Sequence, residues 1–277
     1  MQHGEGFFRG ARGRQIYHQS WLPEGPARAV LLIVHGFGEH SGRYMSSIDY
    51  FVPRGYAVYA LDHVGHGRSE GTRAYVQRFT DYTDTLHTYV DMVQGWQRGI
   101  PVFMVGHSLG GLIAAYYLLD HPSGLAGAVF SGPSIAVPES VTPVTLFMAK
   151  ALSVLAPKAG LMAIEAEAIS RDKDVVRAYE GDPLVYRGKI TARLAAEMLR
   201  AQQRVAAEAS AIDLPLLIVH GEEDRLVPSA GSRAFYQAVG SADKTLNVYD
   251  GLYHEVFNEP ERAQVLRDVE AWLEADL

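Results

Sequence analysis

Residues 106–112, "GHSLGGL", place Ser108 between Gly106 and Gly110, after the apolar run "PVFMVGH" (101–107) and ahead of "LGGLIAAYYLLD" (109–120). A serine so placed can serve as a nucleophile: a tight strand-to-helix turn projects its hydroxyl into a cleft, and bulky neighbours at 106 and 110 would clash. The first amides of the following helix, from Leu109 onward, point at the same place and suit a developing oxyanion. The plain alternative is a Gly/Ser-rich turn that caps a helix. A serine hydroxyl is a poor nucleophile until an imidazole removes its proton, and that imidazole needs an acid to fix its tautomer. Glu222, Glu223 and Asp224 follow "LPLLIVHG" (214–221), Asp250 ends "KTLNVYD" (244–250), and His254 comes next in "GLYHEVFNEP".

The remaining histidines have plainer readings. His35 and His220 end apolar runs and suit hydrogen bonds to loop backbone, His107 belongs to the serine turn, and His87 sits in a helical stretch. Metal chemistry is poorly supported, since no histidine pair has "HExxH" spacing and the chain has no cysteine. Neither a dinucleotide fingerprint nor a phosphate loop follows a strand, so no cofactor is implied.

The elements that must position these residues are legible. Six apolar runs, at 29–35, 56–62, 101–107, 125–132, 214–221 and 244–250, read as strands buried on both faces. Amphipathic stretches at 80–98 and 109–120 lie between them, which predicts a mostly parallel central sheet flanked by helices. Residues 4–21 read as a leading antiparallel hairpin. The alternation stops from 134 to 212, where only helical material occurs, including "PVTLFMAKALSVLAP" (143–157). That length is too great for a loop and points to a helical cap inserted after the sixth strand. The expected organisation is therefore a core of 1–133 and 213–277 interrupted by a cap of 134–212.

At 277 residues with 48% apolar and 21% charged content, the chain fits one sizeable core with one embellishment. A net charge of −7 without a basic cluster argues against a nucleic-acid partner. The first twenty residues lack the apolar centre of a signal segment, and no run approaches the roughly 20 residues of a membrane span. The expectation is a cytoplasmic protein, peripheral to membranes at most.

The serine turn resembles the nucleophile elbow of the α/β-hydrolase fold, whose chain order is Ser, then acid, then His. In that order Asp224, which matches the family's "HGxxD" pattern, is the expected acid, with Asp250 as runner-up, and His254 is the expected base. "HGFGEHSGRY", "LDHVGHGRSEG", "VGHSLGG", "ISRDKDVVRAYEGDPL", "HGEEDRLVP" and "GLYHEVFNEPER" together are similar to the monoacylglycerol lipases, a group related to lysophospholipases. The resemblance implies a triad of Ser108, Asp224 and His254, with an oxyanion hole made by the backbone amides of Phe37 and Leu109. It also implies Glu39, Arg43 and Tyr179 near a glycerol head group, while His35 and His40 hold the loop in shape. Some relatives carry a further histidine three residues after the catalytic one; here that position is Phe257, which weakens strict glycerol selectivity.

The implied reaction is hydrolysis of a small lipid ester, with transient membrane or micelle contact through the apolar cap. A lysophospholipase or broad carboxylesterase would keep the same triad. An aminopeptidase would need cap carboxylates such as Glu165, Glu167 or Glu180, and a dehalogenase would need a carboxylate at 108. A non-catalytic binding protein on this fold would usually show a broken triad, whereas here all three residues stand in order.

Overall fold

The computed structural model describes residues 1–136, 150–275 and 277. The leading hairpin is β1 (Gln2–Arg9) and β2 (Gln15–Leu22), paired antiparallel with Gln2 opposite Leu22. The six apolar runs form β3 (Ala29–Val34), β4 (Tyr56–Leu61), β5 (Val102–His107), β6 (Gly127–Ser131), β7 (Leu216–Gly221) and β8 (Lys244–Tyr249). They join one sheet in the order β1-β2-β4-β3-β5-β6-β7-β8. β2 meets β4 antiparallel, and all pairs from β4 to β8 are parallel. The helices are α1 (Met45–Phe51), α2 (Thr80–Trp96), α3 (Leu109–Asp120), α4 (Lys173–Gly181), α5 (Ala192–Glu208), α6 (Ala230–Ala238) and α7 (Arg262–Ala275).

Strand alternation divides the interior into two cores. In β3, Val30, Leu32 and Val34 enter one core while Ala29, Leu31 and Ile33 enter the other. The first core is closed by α2, α3 and α6 through Leu86, Ile113 and Phe235, the second by α1 and α7 through Ile48 and Leu266. β8 departs from the expectation of burial on both faces, because all six of its residues are only half-buried. It is one of the two edge strands, with a neighbour on one side only, and its polar Lys244, Thr245 and Asn247 suit that place.

Between β6 and β7 lies the inserted helical region, containing α4, α5 and a helical stretch at 150–155. The apolar lid run 143–157 falls outside the described residues as far as 149. Asp172 caps α4 by accepting from the Asp174 amide, and Thr191 caps α5 by accepting from the Leu194 amide. The region is tied to the core by Thr191 Oγ1 donating to the Ala74 carbonyl (2.6 Å) and by the Phe79 amide donating to Glu197 (3.0 Å).

The loops after β3, β5, β7 and β8 all emerge at the carboxyl end of the parallel sheet, where open α/β sheets place their sites. α3 comes very close to that end. A Cβ on Gly110 would run into the carbonyl oxygen of Val34, and one on Gly106 would lie 2.8 Å from the Gly110 carbonyl oxygen. Gly110→Ala must therefore push α3 off the sheet. We expect it to cost about 3 kcal/mol, the upper part of the range for overpacking, read from urea unfolding. An unchanged midpoint would show that α3 slides freely.

Candidate active site

Ser108 links β5 to α3 with φ 52° and ψ −119°, a left-handed conformation that few residues other than glycine adopt. Its strain is held by backbone bonds. The Ser108 amide donates to the Ser131 carbonyl (3.0 Å), and the Ser108 carbonyl accepts from the Gly111 and Ser134 amides (both 3.0 Å). A simple helix cap would not need this geometry, and Ser108 caps nothing with its side chain.

Of the candidate acids, Asp224 is the one that meets His254. Its Oδ2 lies 2.6 Å from His254 Nδ1, while Oδ1 accepts from the Leu226 (2.8 Å) and Val227 (2.9 Å) amides. Asp250 instead lines a separate surface groove with Glu261. Burial disfavours charge on Asp224, but the charge of His254, hydrogen bonds from His220 and His254 and the Val227 amide outweigh it, holding its carboxyl well below the usual range. Burial likewise lowers His254, and the facing Asp224 carboxylate overrides this and raises it, with Glu255 and Glu39 adding to the effect. With Nδ1 on Asp224, Nε2 is the ring nitrogen left to meet a hydroxyl, and His254 and Ser108 line one cavity.

Phe37 and Leu109 line that cavity too. Leu109 is the first residue of α3, so its amide has no carbonyl one turn earlier to bond. Phe37 stands between Gly36, where a Cβ would lie 3.1 Å from the Ser108 Cβ, and Gly38, at φ 77°. Glu39 fixes this turn by accepting from the Gly36 amide at 2.6 Å.

Two cavities of different character flank Ser108 and His254. One, of about 390 Å³, is walled by Leu161, Ile164, Ile190, Met198 and Leu199 of the inserted region, and among the described residues no aspartate, glutamate, lysine or arginine lines it. The other, of about 20 Å³, is lined by Glu39, Arg43, Tyr179 and Glu255. There Arg43 donates to Glu39 (3.1 Å) and with both terminal nitrogens to Glu255 (2.7 and 3.0 Å), and its guanidinium lies 4.8 Å over the Tyr179 ring. The three residues implied near a head group are thus together but already engaged with one another. Glu165, Glu167 and Glu180 are exposed and line neither cavity. Phe257 is buried in the second core.

Sequence reasoning missed two participants. Glu255, directly after His254 and buried, is the main partner of Arg43; its place beside the candidate base was the available signal. His220, read as a loop-backbone histidine, does bond the Val227 carbonyl (2.8 Å) but also reaches Asp224 Oδ2 at 3.1 Å. His35 and His40 behave as expected of loop supports. His35 bonds the Gly36 carbonyl, and His40 accepts from the Gly42 amide and pairs with Asp182 of the inserted region at 2.8 Å.

This fold and site define a serine-hydrolase-like α/β-hydrolase of the esterase and lipase type. A family model described as serine aminopeptidase, S33, matches residues 25–261. The chain is 41% identical over 270 residues to the monoacylglycerol lipase of Mycolicibacterium smegmatis, covering 98% of this chain and 96% of that protein. It is 35% identical over 266 residues to the monoglyceride lipase of Homo sapiens, covering 95% and 88%. The crystal structure of Paleococcus ferrophilus monoacylglycerol lipase matches with a TM-score of 0.84 at 31% identity, covering 95% of this chain and 99% of that one. The chain belongs to the monoacylglycerol lipase family of α/β-hydrolases.

Behind the Phe37 turn, His35, His63 and His66 pack with ring centroids 4.1–6.2 Å apart. His35 Nδ1 donates to the Gly36 carbonyl, its Nε2 accepts from the His63 amide, His63 Nε2 donates to the His35 carbonyl, and His66 Nδ1 donates to the Val64 carbonyl. Burial lowers all three, His63 to about 3, His66 to about 4 and His35 well below its ordinary value. Because the unfolded chain then binds more protons below about pH 6.5, each histidine removes about 1.4 kcal/mol of stability per pH unit on acidification. His254, which is raised, runs the other way, while His18, His107 and His121, which burial also lowers, add to the loss, so the net is a loss. Urea midpoints should therefore fall between pH 7 and pH 5; a midpoint constant over that interval would contradict the neutral cluster.

Proposed function

We propose that the chain hydrolyses monoacylglycerols to fatty acid and glycerol. The observation that carries this reading is the asymmetry of the site. A large apolar cavity and a small recess that holds Glu39, Arg43 and Glu255 are both lined by Ser108 and His254. An ester with a long acyl chain and a small polar alcohol has the same asymmetry. Each buried methylene contributes about 0.8 kcal/mol, so the acyl chain supplies most of the binding energy.

In this mechanism His254 Nε2 takes the proton of Ser108 as Oγ attacks the acyl carbonyl, and Asp224 stabilises the imidazolium. The Phe37 and Leu109 amides receive the oxyanion. Collapse expels the alcohol, which takes the proton from His254; water then enters by the same route and releases the fatty acid. An aminopeptidase reading is less well supported, because Arg43 already occupies both carboxylates beside the site, Glu39 and Glu255, and the cap carboxylates are exposed. One observation favours a second reading, a broader carboxylesterase: Phe257 offers no polar group to a glycerol hydroxyl, and Arg43 is sealed by Glu255.

Ser108→Ala should lower kcat on monoacylglycerol by several orders of magnitude, leaving at most the residue that binding and the oxyanion hole provide, about 10³–10⁴ over water in studied triads. A parent-like rate would end this reading. In the same assay kcat/KM should favour monoacylglycerols over lysophospholipids and diacylglycerols, and comparable values for simple esters would favour the broader esterase.

The reading extends to a lipid surface. Val154, Leu155, Leu161 and Met162 are exposed large apolar side chains of the inserted region, and Leu161 and Met162 also line the apolar cavity. Burying a leucine side chain in lipid contributes about 2 kcal/mol. Leu155→Asp should therefore weaken sedimentation with phosphatidylcholine vesicles roughly ten-fold or more, while hydrolysis of a water-soluble short-chain ester stays at parent rate. Equal vesicle binding would remove the cap from lipid contact.

A further inference from the structure

We propose that Glu255 is a positioning residue for the base: through Arg43 it fastens the His254 loop to the Phe37 turn, and it keeps a net negative charge beside the imidazole. This rests on the reading of His254 as the base in a Ser108 hydrolysis.

The connection is continuous in hydrogen bonds. Glu39 Oε1 accepts from the amide of Gly36, one residue before Phe37, and from the Tyr44 hydroxyl at 2.7 Å. Glu39 Oε2 accepts from Arg43, and Arg43 grips both carboxylate oxygens of Glu255, one residue after His254. Asn258 donates to Glu255 Oε2 at 2.8 Å, and the Glu255 amide donates to the Ile169 carbonyl of the inserted region at 2.8 Å. A two-point guanidinium–carboxylate contact fixes direction as well as distance. The loops that carry the oxyanion amide and the base are thereby held in register by side chains, although no strand pairing joins them.

The charge count matters as well. Glu39, Glu255 and Arg43 sum to one negative charge, buried beside the ring that must become cationic in the transition state. The groups facing His254 are Asp224 on Nδ1, the His107 ring with its centroid at 4.7 Å, Glu255 next in the chain and Glu39 across the recess; Arg43 lies between the two glutamates, and His220 acts through Asp224. Burial lowers the imidazole and Asp224 raises it, with Glu255 next among the groups that raise it. Glu255 itself resists burial through Arg43 and stays ionised, its carboxyl held at about 2. Removing its charge leaves Glu39 and Arg43 summing to zero, so His254 loses the excess negative charge beside it, becomes a weaker base and titrates at lower pH.

The test compares the parent, Glu255→Gln, Glu255→Asp, Arg43→Lys and Ser108→Ala on a soluble ester from pH 5 to 9, with sites counted by fluorophosphonate titration. Glu255→Gln should lose about ten-fold or more in kcat, keep KM within about two-fold of the parent and move the acid limb to lower pH. Glu255→Asp should return the limb to the parent position, since it restores the charge. If Glu255→Gln does not fold, Arg43→Lys carries the test. It keeps the charge but loses the two-point grip, so kcat should fall with KM and the limb in place. A Glu255→Gln enzyme with parent kcat and an unmoved limb overturns the proposal, as does parent kcat in Arg43→Lys. A parent rate in Ser108→Ala would instead remove the reading beneath it.

Discussion

The close approach of α3 to the sheet is the constraint on which the rest of the site depends. With glycine at 106 and 110, the helix axis starts hard against the carbonyl ends of β3, and Ser108 is forced into its left-handed turn. A strained residue of that kind costs about 1–3 kcal/mol. Each fully buried aliphatic side chain contributes about 1.5–3 kcal/mol, and β3, β5 and β6, buried at every position, surround the turn with such side chains. The strain is therefore small beside the packing that enforces it. It places the hydroxyl and the first amide of α3 toward one cavity without help from either side chain's flexibility.

Buried charge is managed in two opposite ways around that turn. Asp224 stays ionised because four donors from His254, His220 and two amides replace its water. His35, His63 and His66 stay neutral because each ring already donates to a carbonyl, and a second proton on His35 would face the His63 amide. The first arrangement suits a group that must stabilise a neighbouring cation. The second suits a scaffold that must hold the Phe37 turn without adding positive charge behind it. The Arg43 cluster lies between these extremes, with its charges paired and one negative charge in excess.

The fold was largely legible in the sequence, because its signals are local. Apolar runs seven or eight residues long mark the strands, 3.6-residue periodicity marks α2, and Gly-x-Ser-x-Gly after a strand locates the elbow. The edge position of β8 was not legible from its apolar run alone, although Lys244, Thr245 and Asn247 within the strand were a hint. The site was legible where chain order constrains it. Position relative to the strands brought out Ser108 and His254, the resemblance to the α/β-hydrolases singled out Asp224 among the nearby acids, and the structure pairs Asp224, rather than Asp250, with the histidine. Contacts that cross the fold left no pattern to read. Arg43 and Glu255 are 212 residues apart, and nothing in either local stretch announces the other. His220 looked like a strand-end histidine since its second partner, Asp224, depends on how the loop folds back.

The inserted region does more than cover the site. Two of its backbone bonds end next to the loops that carry the proposed chemistry: the Tyr186 amide donates to the Gly38 carbonyl at 2.7 Å, and the Ile169 carbonyl accepts from the Glu255 amide at 2.8 Å. The first lies one residue beyond Phe37 and the second one residue beyond His254. Gly38 is required there, since a Cβ would come within 2.8 Å of the Tyr186 carbonyl oxygen. The segment that supplies the apolar wall through Leu161, Ile164 and Met198 thus also sets the backbone of the turn and of the base loop. Displacing it to admit a substrate must therefore either preserve those two bonds or release both loops together. On the proposed reading, acyl-chain fit and the alignment of the reacting groups are therefore coupled through the same stretch of chain.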